Sequence, residues 1–180
     1  MDKIEIQISK KKISILLIVA ILFVVTGVFF ILTPETFITI LFRNPQVIRL
    51  AGIATVIFFG TAVIYGLRKF FDKKVGLIVD ENGITDNSNA SSVGLIEWND
   101  IVEIKTEQVM STRFLLIFIS NPDIYLDRVN GFKQKLMKGN MKMYGTPLSI
   151  TSNTLKYNFD DLEKIIKKRL IEQQKSTPNR

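Results

Sequence analysis

The stretch "ISILLIVAILFVVTGVFFIL", residues 13–32, runs for twenty positions without a charged side chain. An α-helix needs about twenty such residues to cross the roughly 30 Å hydrocarbon core of a bilayer. A second uncharged run, "LAGIATVIFFGTAVIYGL", covers residues 50–67. The two runs predict transmembrane helices at residues 13–32 and 47–68, joined by a short loop at residues 33–46.

Two other structures would also account for these runs. If both helices were buried in a soluble core, the rest of a 180-residue chain would have to cover them on every side, and it is too short to do so. If the first run were a cleaved signal peptide, its apolar region would be unusually long, and no cleavage site of the A-x-A type follows it. Two uncleaved spans are the better interpretation.

Basic residues near the ends of the spans indicate orientation, because lysine and arginine favour the cytoplasmic side of a membrane. The connecting segment contains only Arg43, with Arg49 at the edge of the second span. The residues expected to set the topology lie at the outer ends of the two spans: Lys10, Lys11, Lys12, Arg68, Lys69, Lys73 and Lys74. Both termini, including a leader at residues 1–12, are therefore predicted to be cytoplasmic, with the loop outside.

The loop and the second span carry two further signals. Residues 37–42, "FITILF", are too apolar for a solvated loop, so they form either a turn or helix at the membrane interface or an extension of one span. Small side chains in the second span permit close contact with the first span. These small residues are Ala51, Thr55, Ala62 and Gly66.

From Val75 the pattern changes to short β-strands separated by turns. "VGLIVDENGITDN" predicts a hairpin, because Asn82-Gly83 accepts the positive φ angles of a tight turn. "VGLIEW" predicts a third strand, and residues 113–120 form the continuous apolar run typical of a strand buried on both faces. Residues 101–109 predict a strand whose polar face comprises Ile101, Glu103, Lys105 and Glu107.

Two helices are predicted in the second half of this domain, and "TPLSIT" predicts a last strand between them. Asn121-Pro122 is a typical start of the first helix. The side chains expected on its buried face are Leu126, Val129, Phe132 and Leu136. Residues 158–175 predict the C-terminal helix, capped by Asn158 or Asp160. Its expected inner side comprises Leu162, Ile165, Ile166, Arg169 and Leu170. The predicted domain covers residues 75–174, before a disordered tail at residues 175–180.

"GLIVDENGITD", "VGLIEWNDIVEI" and "FLLIFI", followed by the terminal helix, resemble a bacterial pleckstrin-homology-like (PH-like) domain. The whole chain resembles uncharacterised bacterial membrane proteins with two N-terminal transmembrane helices before such a cytoplasmic domain. The resemblance implies a membrane α-helical hairpin plus an α+β domain. That domain would be a PH-like antiparallel β-barrel or sandwich with an inserted helix and a C-terminal capping helix. The resemblance also implies a multi-pass protein of the bacterial cytoplasmic (inner) membrane, and it implies no activity.

The PH-like fold has seven strands, whereas six are predicted after Val75. Ile4, Ile6 and Ile8 alternate with polar residues in the leader, which is typical of a strand. The leader therefore either adds the seventh strand, and so fixes the domain against the membrane, or is a frayed tail.

The residue types that most enzymes need are missing. The chain has no cysteine and no histidine, which excludes disulfides, thiol chemistry and histidine acid–base catalysis. Asp80, Glu81 and Asp86 flank the first hairpin without the spacing of a calcium loop. Eukaryotic members of the PH-like superfold often bind phosphoinositides with a basic first hairpin loop, whereas "VDENG" is acidic, so that property is not implied here. We expect no enzyme activity, cofactor, metal site or small-molecule substrate.

The net charge of +7 does not indicate a nucleic-acid partner, because the excess lies around the spans. Residues 1–74 contain ten basic and four acidic residues, whereas residues 75–180 contain fourteen and thirteen. Within the domain, "FKQKLMKGNMKMYGTP", residues 132–147, contains four lysines and no acid. The four are Lys133, Lys135, Lys138 and Lys142. They form either a solvated helix face or a contact with an anionic membrane surface.

These observations predict a non-enzymatic, membrane-tethered PH-like interaction or scaffold module that binds a protein, a peptide or the anionic membrane surface. The alternative is an accessory subunit of a membrane transport or envelope-stress complex, recognised through its transmembrane helices. The predicted partners are the lipid bilayer, in which the chain is integral, and either another protein or a second copy of the chain. Nucleic acid is not among them.

Overall fold

The computed structural model describes residues 2–38 and 44–176, and the chain forms two compact units. The helical unit comprises Lys10–Lys73, and the sheet unit comprises Met1–Ser9 together with Lys74–Arg180. Two predicted features lie partly outside the described residues. In the apolar loop these are Ile40, Leu41 and Phe42, and in the tail predicted at residues 175–180 they are residues 177–180.

The helical unit contains α1 (Lys10–Leu32) and α2 (Pro45–Phe71), both long and apolar enough to cross a membrane. Each is longer than its predicted span: α1 begins three residues earlier, at Lys10, and α2 extends at both ends, to Pro45 and Phe71. Asn44 caps α2, since its Oδ1 accepts a hydrogen bond from Gln46 N at 2.9 Å. Pro34–Phe37 forms a short 3-10 turn after α1, so α1 does not extend through this part of the loop.

The two long helices pack closely around a pair of glycines. Gly27 of α1 and Gly52 of α2 are both buried. A Cβ atom added at residue 52 would lie 2.7 Å from the Gly27 carbonyl oxygen and 2.8 Å from the Cβ of Phe30. Residues without a side chain allow helix backbones to approach this closely.

The predicted contact face of α2 is partly wrong. Thr55 and Gly66 face α1, as expected. Ala51 and Ala62 are instead exposed. Residues on one side of an α-helix recur every three to four positions. Because Gly52 lies on the side that contacts α1, Ala51 and Ala62 lie on a different side and are exposed.

The sheet unit is an α+β domain. Its four-stranded antiparallel sheet has the order β1 (Ile4–Ile6), β2 (Leu77–Val79), β3 (Gly83–Asp86) and β4 (Gly94–Glu97). Its three-stranded antiparallel sheet has the order β5 (Ile101–Val109), β6 (Thr112–Ile119) and β7 (Leu148–Ile150). The helices are α3 (Pro122–Asp127), α4 (Gly131–Tyr144) and α5 (Phe159–Ser176).

The leader forms a strand of this domain and is not a frayed tail. β1 pairs with β2, with Ile6 opposite Leu77, and the Ile6 side chain is 3% exposed. Ile8 forms a bridge with Leu155, and Ser9 N donates to Thr154 O at 2.7 Å. Six strands follow residue 75. The seventh strand of the domain is β1, which precedes the helical unit in the sequence.

The core lies between the sheets and α5. The buried side chains of α5 are Phe159, Leu162, Ile166 and Leu170. Asn158, not Asp160, caps the helix, because its Oδ1 accepts from Asp161 N at 2.9 Å. Leu115, Leu116 and Ile117 are buried, so the middle of β6 is covered on both faces as predicted, whereas Phe114 and Phe118 are half-buried. α5 extends through Ser176, past the predicted start of the disordered tail.

The first hairpin turns differently from the prediction. Asp80, Glu81 and Asn82 form its loop, and Asp80 Oδ1 accepts from Asn82 N at 2.9 Å. Among the described residues other than glycine, Met110 is the one with positive φ, so Asn82 does not adopt it. Glycine is needed at residue 83 for space, since a Cβ there would lie 2.0 Å from the Ile96 carbonyl oxygen.

The polar face predicted for β5 is wrong at Ile101, which is 5% exposed. The register with β6 shifts between Ile101 and Glu103. Such a β-bulge adds one residue and reverses the alternation of side chains beyond it. Glu103, Lys105 and Glu107 are exposed as predicted.

The single helix predicted after Asn121 is in fact two, α3 and α4. Gly131 begins α4 with φ 58°, a left-handed value that breaks a right-handed helix. The break rotates α4, so the predicted inner face is wrong there. Phe132 is 73% exposed, and Met137 rather than Leu136 is fully buried in the core.

Candidate functional site

The sheet unit is attached to the helical unit through two positions in its sequence, Ser9 before α1 and Lys74 after α2. Within the sheet unit these positions lie at one end, which we call the attachment end, because β1 runs towards Ser9 and the antiparallel β2 starts just after Lys74. The loop at residues 151–155 also lies there, since Thr154 bonds to Ser9.

The acidic hairpin loop lies at the opposite end, which we call the remote end. β2 runs from the attachment end to Asp80, and Gln173 Nε2, near the end of α5, donates to Glu81 O at 3.5 Å. Asp86 lies at the far end of β3 and is 2% exposed, with its Oδ1 accepting from Ser88 N. The three acids therefore do not converge, and residues 2–38 and 44–176 contain no group of acids that could hold a metal ion.

Helix α4 presents three of the four predicted lysines on one exposed face. Lys135, Lys138 and Lys142 are exposed and follow at spacings of three and four, which places them on one side of a helix. Lys133 is half-buried and lies on a different side, so it does not belong to this group. We call the three exposed residues the lysine face.

Apolar side chains border the lysine face. Phe132 is 73% exposed and Met143 is 72% exposed. The helical repeat places Phe132 beside Lys135, and Met143 lies on the same flank about 12 Å farther along α4. α4 contains no acidic residue. A cationic strip beside an apolar strip is the pattern of helices that lie on anionic membranes.

The predicted topology-setting residues gather at one end of the helical unit. Lys10, Lys11 and Lys12 form the first turn of α1, whereas Arg68 and Lys69 are in the last turn of α2. Lys10 Nζ lies 5.5 Å from the centroid of the Phe70 ring, which brings the two ends together. Lys73 and Lys74 follow the C-cap residue of α2, Asp72.

An open groove of about 460 Å³ lies on the outer face of the three-stranded sheet, beside the end of α4. Its lining residues are Lys105, Glu107, Leu116, Phe118, Met143 and Tyr144. The Tyr144 ring stacks on Phe114 with centroids 6.4 Å apart, and Lys105 Nζ lies 4.9 Å from the Phe118 ring centroid. Leu116, Phe118, Met143 and Tyr144 form its apolar part, and Lys105 and Glu107 add one amine and one carboxylate.

The sequence did not predict this groove. The apolar run of β6 was the available signal, because its alternate side chains point away from the core. The groove also requires the end of α4 to pack beside the outer face of β6, and no pattern within the β6 sequence indicates this packing.

Tyr125 is the titratable group most affected by its surroundings among those with a resolved pKa shift. Its side chain is fully buried, its hydroxyl donates to Asp100 Oδ2 at 2.6 Å, and it accepts from Glu97 N at 3.2 Å. Burial, followed by the hydrogen bond to Asp100, raises the pKa of Tyr125 to about 12. The phenol is therefore neutral at physiological pH and joins α3 to the β4–β5 connection rather than serving as a base.

We expect Tyr125→Phe to lower the free energy of unfolding by about 1–3 kcal/mol, because Asp100 and Glu97 N lose a buried hydrogen-bond partner. Denaturant unfolding of the detergent-solubilised chain, followed by the fluorescence of Trp98, measures this. The chain's single tryptophan lies in the sheet unit, so the signal reports that unit. Tyr157→Phe is the control, since the Tyr157 hydroxyl makes no hydrogen bond with the described residues.

The same variant has a pH signature. The pKa of Tyr125 is higher in the folded state than the ordinary value of 10.0, so folding favours the neutral phenol. Its contribution to stability is complete below pH 10 and is lost as the pH rises from 10 towards 12. Tyr125→Phe should remove this part of the alkaline loss of stability. An unfolding curve that depends on pH identically in both proteins would contradict the assignment.

Two carboxylates hold α5 against the three-stranded sheet. Hydrogen bonds from Lys167 Nζ and Thr106 Oγ1, both at 2.7 Å, hold the pKa of Glu163 below its ordinary value. The Arg113 guanidinium, 2.8 Å from Asp160, lowers the pKa of that carboxyl. Both acids are ionised partners of structural contacts and not proton donors for a reaction.

No protein-family model, curated protein or solved structure matches this chain. The function is therefore argued from the geometry of the two units.

Proposed function

We propose that this chain is a multi-pass protein of the bacterial cytoplasmic membrane with both termini in the cytoplasm. Its sheet unit is a non-enzymatic, PH-like interaction module held at the membrane surface. The pairing of β1 with β2 carries the proposal. These strands flank the helical unit in sequence and belong to one sheet. Strands of one sheet lie on one side of a membrane, so the chain between them crosses it an even number of times, as two spans do.

The same pairing supports an uncleaved first span. Cleavage after α1 would remove β1 from its sheet and expose Leu77 and Val79, which are both fully buried. The collection of basic residues at one end of the helical unit supports the cytoplasmic side for both attachments, since lysine and arginine favour that side.

The arrangement of the sheet unit supports the PH-like interpretation. Sheets of four and three strands followed by a C-terminal helix match what the resemblance implies. In that interpretation the two spans occupy the connection between the first and second strands. The acidic loop at residues 80–82 joins β2 to β3. Counted from β1, it is the second strand–strand connection of the domain and not, as the sequence predicted, the first.

The sheet unit offers two surfaces for an interaction. The lysine face and its apolar border suit an anionic membrane or an acidic protein, because about 1 kcal/mol per basic residue is available near an anionic surface. The groove beside Tyr144 suits a peptide.

Lysine footprinting of the full chain tests this function. The protein is acetylated in phosphatidylcholine vesicles, in vesicles that also contain phosphatidylglycerol, and in native membranes, and each lysine is quantified by mass spectrometry. We expect Lys135, Lys138 and Lys142 to react several-fold more slowly with phosphatidylglycerol present, and high salt should reverse the effect because the contact is electrostatic. The exposed lysines of α5, Lys164 and Lys175, are internal controls.

The three membranes separate the possible partners. Protection with phosphatidylglycerol identifies lipid, and protection in native membranes alone identifies a protein or a second copy of the chain. If no surface of the sheet unit is protected in any membrane, the interaction-module proposal fails. That outcome favours an accessory subunit of a transport or envelope-stress complex recognised through its spans, for which the exposed small side chains Ala51 and Ala62 offer a contact face.

A further inference from the structure

The tip of the β5–β6 hairpin is an exposed apolar feature that the proposed function leaves unexplained. Val109 is 43% exposed, and Met110 is 92% exposed. Met110 and Ser111 form the two-residue loop, since Val109 pairs with Thr112. Met110 has φ 53°, where glycine or asparagine is usual in such a loop. Residue 110 thus combines an exposed apolar side chain with a backbone conformation that is strained for any residue with a side chain.

Hydrogen bonds place this tip at the attachment end of the sheet unit. Asn153 Nδ2 donates to Thr112 Oγ1 at 3.4 Å, at the base of the tip. The next residue, Thr154, accepts from Ser9 N at 2.7 Å. Ser9 directly precedes α1 in the sequence. The tip is therefore on the end of the domain from which the chain enters the proposed membrane helices.

We propose that Val109 and Met110 insert into the interfacial layer of the bilayer that holds the chain, as a third point of attachment for the sheet unit. This inference rests on the proposed membrane tether. Lipid is the partner that fits, because the chain continues into the proposed membrane helices from this end of the domain and the tip itself carries no charge. Lys74 and Lys156 are exposed at the same end, where cations suit anionic headgroups. Asp160 is also at this end and is paired with Arg113.

Site-specific fluorescence in vesicles tests the insertion. The chain has no cysteine, so single cysteines can be introduced without other changes. An environment-sensitive nitrobenzoxadiazole dye is attached at Ser111→Cys, which keeps Val109 and Met110. Phe23→Cys in the middle of α1 and Asn82→Cys at the remote end are the reference sites. Each protein is placed in phosphatidylethanolamine–phosphatidylglycerol vesicles that contain lipids with a nitroxide near the headgroup or deep in the acyl chain.

The expected results differ at the three sites. The dye at residue 111 loses more fluorescence to the shallow nitroxide than to the deep one, and the dye at residue 23 shows the reverse. The dye at residue 82 is quenched by neither. Adding Met110→Asp should abolish the quenching at residue 111, whereas Met110→Gly, which relieves the backbone strain, should only reduce it. High salt should leave the quenching at residue 111 unchanged, because the contact is apolar.

Three outcomes would overturn the inference in distinguishable ways. Quenching at residue 23 without quenching at residue 111 would reject the insertion of the tip and leave the membrane tether intact. An absence of quenching at residue 23 would reject the tether, and the inference with it. Equal quenching at residue 111 with Met110 and with Met110→Asp would show that the apolar tip is not the anchor.

Discussion

A fragment that starts at residue 75 is expected to be largely unfolded, although the strand pattern of the predicted domain begins there. The fragment lacks β1 and the residues after it, including Ile6 and Ile8, which are 3% and 8% exposed in the intact chain. Burying one such side chain stabilises a protein by about 1.5–3 kcal/mol, so losing both removes on the order of 5 kcal/mol. Small domains have about 5–15 kcal/mol in total.

Point substitutions test the role of β1 without truncation. Ile6→Ala in the full chain should lower the free energy of unfolding of the sheet unit by about 2–5 kcal/mol, because it leaves a cavity in the core. Gln7→Ala, at an exposed neighbouring position, should change it by less than about 0.5 kcal/mol. Unfolding in denaturant followed through Trp98 measures both. Equal effects of the two substitutions would contradict the prediction.

A rejoined domain provides the matching positive control. Ile6 pairs with Leu77, and Ser9 and Lys74 each lie three residues beyond this pair. Neighbouring strands are about 4.8 Å apart, so a short glycine–serine linker can replace residues 10–73. This chain should unfold cooperatively, whereas the fragment from residue 75 should not. A cooperatively folded 75–180 fragment would show that β1 is dispensable.

Replacement of Gly52 by leucine is expected to separate α1 from α2. Even the first side-chain atom at residue 52 would lie 2.7 Å from the backbone oxygen of Gly27, so the helices must move apart to admit a leucine. The matched control is Gly60→Leu in the same helix, because a Cβ at residue 60 meets no atom within 4 Å. Both substitutions add the same apolar group, so they differ only in the contact.

Cysteine cross-linking in membranes measures this separation. Leu17→Cys and Gly66→Cys form the reporter pair, because a Cβ at residue 66 would lie 2.7 Å from a methyl group of Leu17. We expect an oxidant to join the two cysteines readily in the parent and in Gly60→Leu, with a several-fold lower yield in Gly52→Leu. An undiminished yield in Gly52→Leu would show that the glycine contact does not hold the helices together.

Features fixed by local patterns could be predicted from the sequence. The two apolar helices followed from their length and lack of charge, and the start of α5 followed from the residues of its first turn, which left Asn158 and Asp160 as alternative caps. β6 was recognisable because an uninterrupted apolar run suits a strand covered on both faces. Each of these signals lies within a few turns or one strand of the chain.

Features that depend on distant contacts could not be predicted. The bulge after Ile101 changes which side chains of β5 face inward, and it arises from the register with β6. The separation of α3 from α4 occurs at Gly131, a residue that weakens a helix, but the helical spacing of apolar residues on both sides of it favoured one helix. The attachment end was likewise hidden, because it is assembled from β1, β5–β6 and the loop after β7, which are far apart in sequence.

The order of synthesis gives the pairing of β1 with β2 a further consequence. β1 leaves the ribosome first, and its partner follows only after all of α1 and α2, so the four-stranded sheet closes late and across a long loop. Until then β2 lacks one neighbour, and an unpaired strand edge is prone to wrong pairing. In the proposed topology, a first helix inserted in the wrong direction would place β1 on the other side of the membrane from β2, and the sheet would not close. Completion of the domain would then depend on correct insertion of both helices.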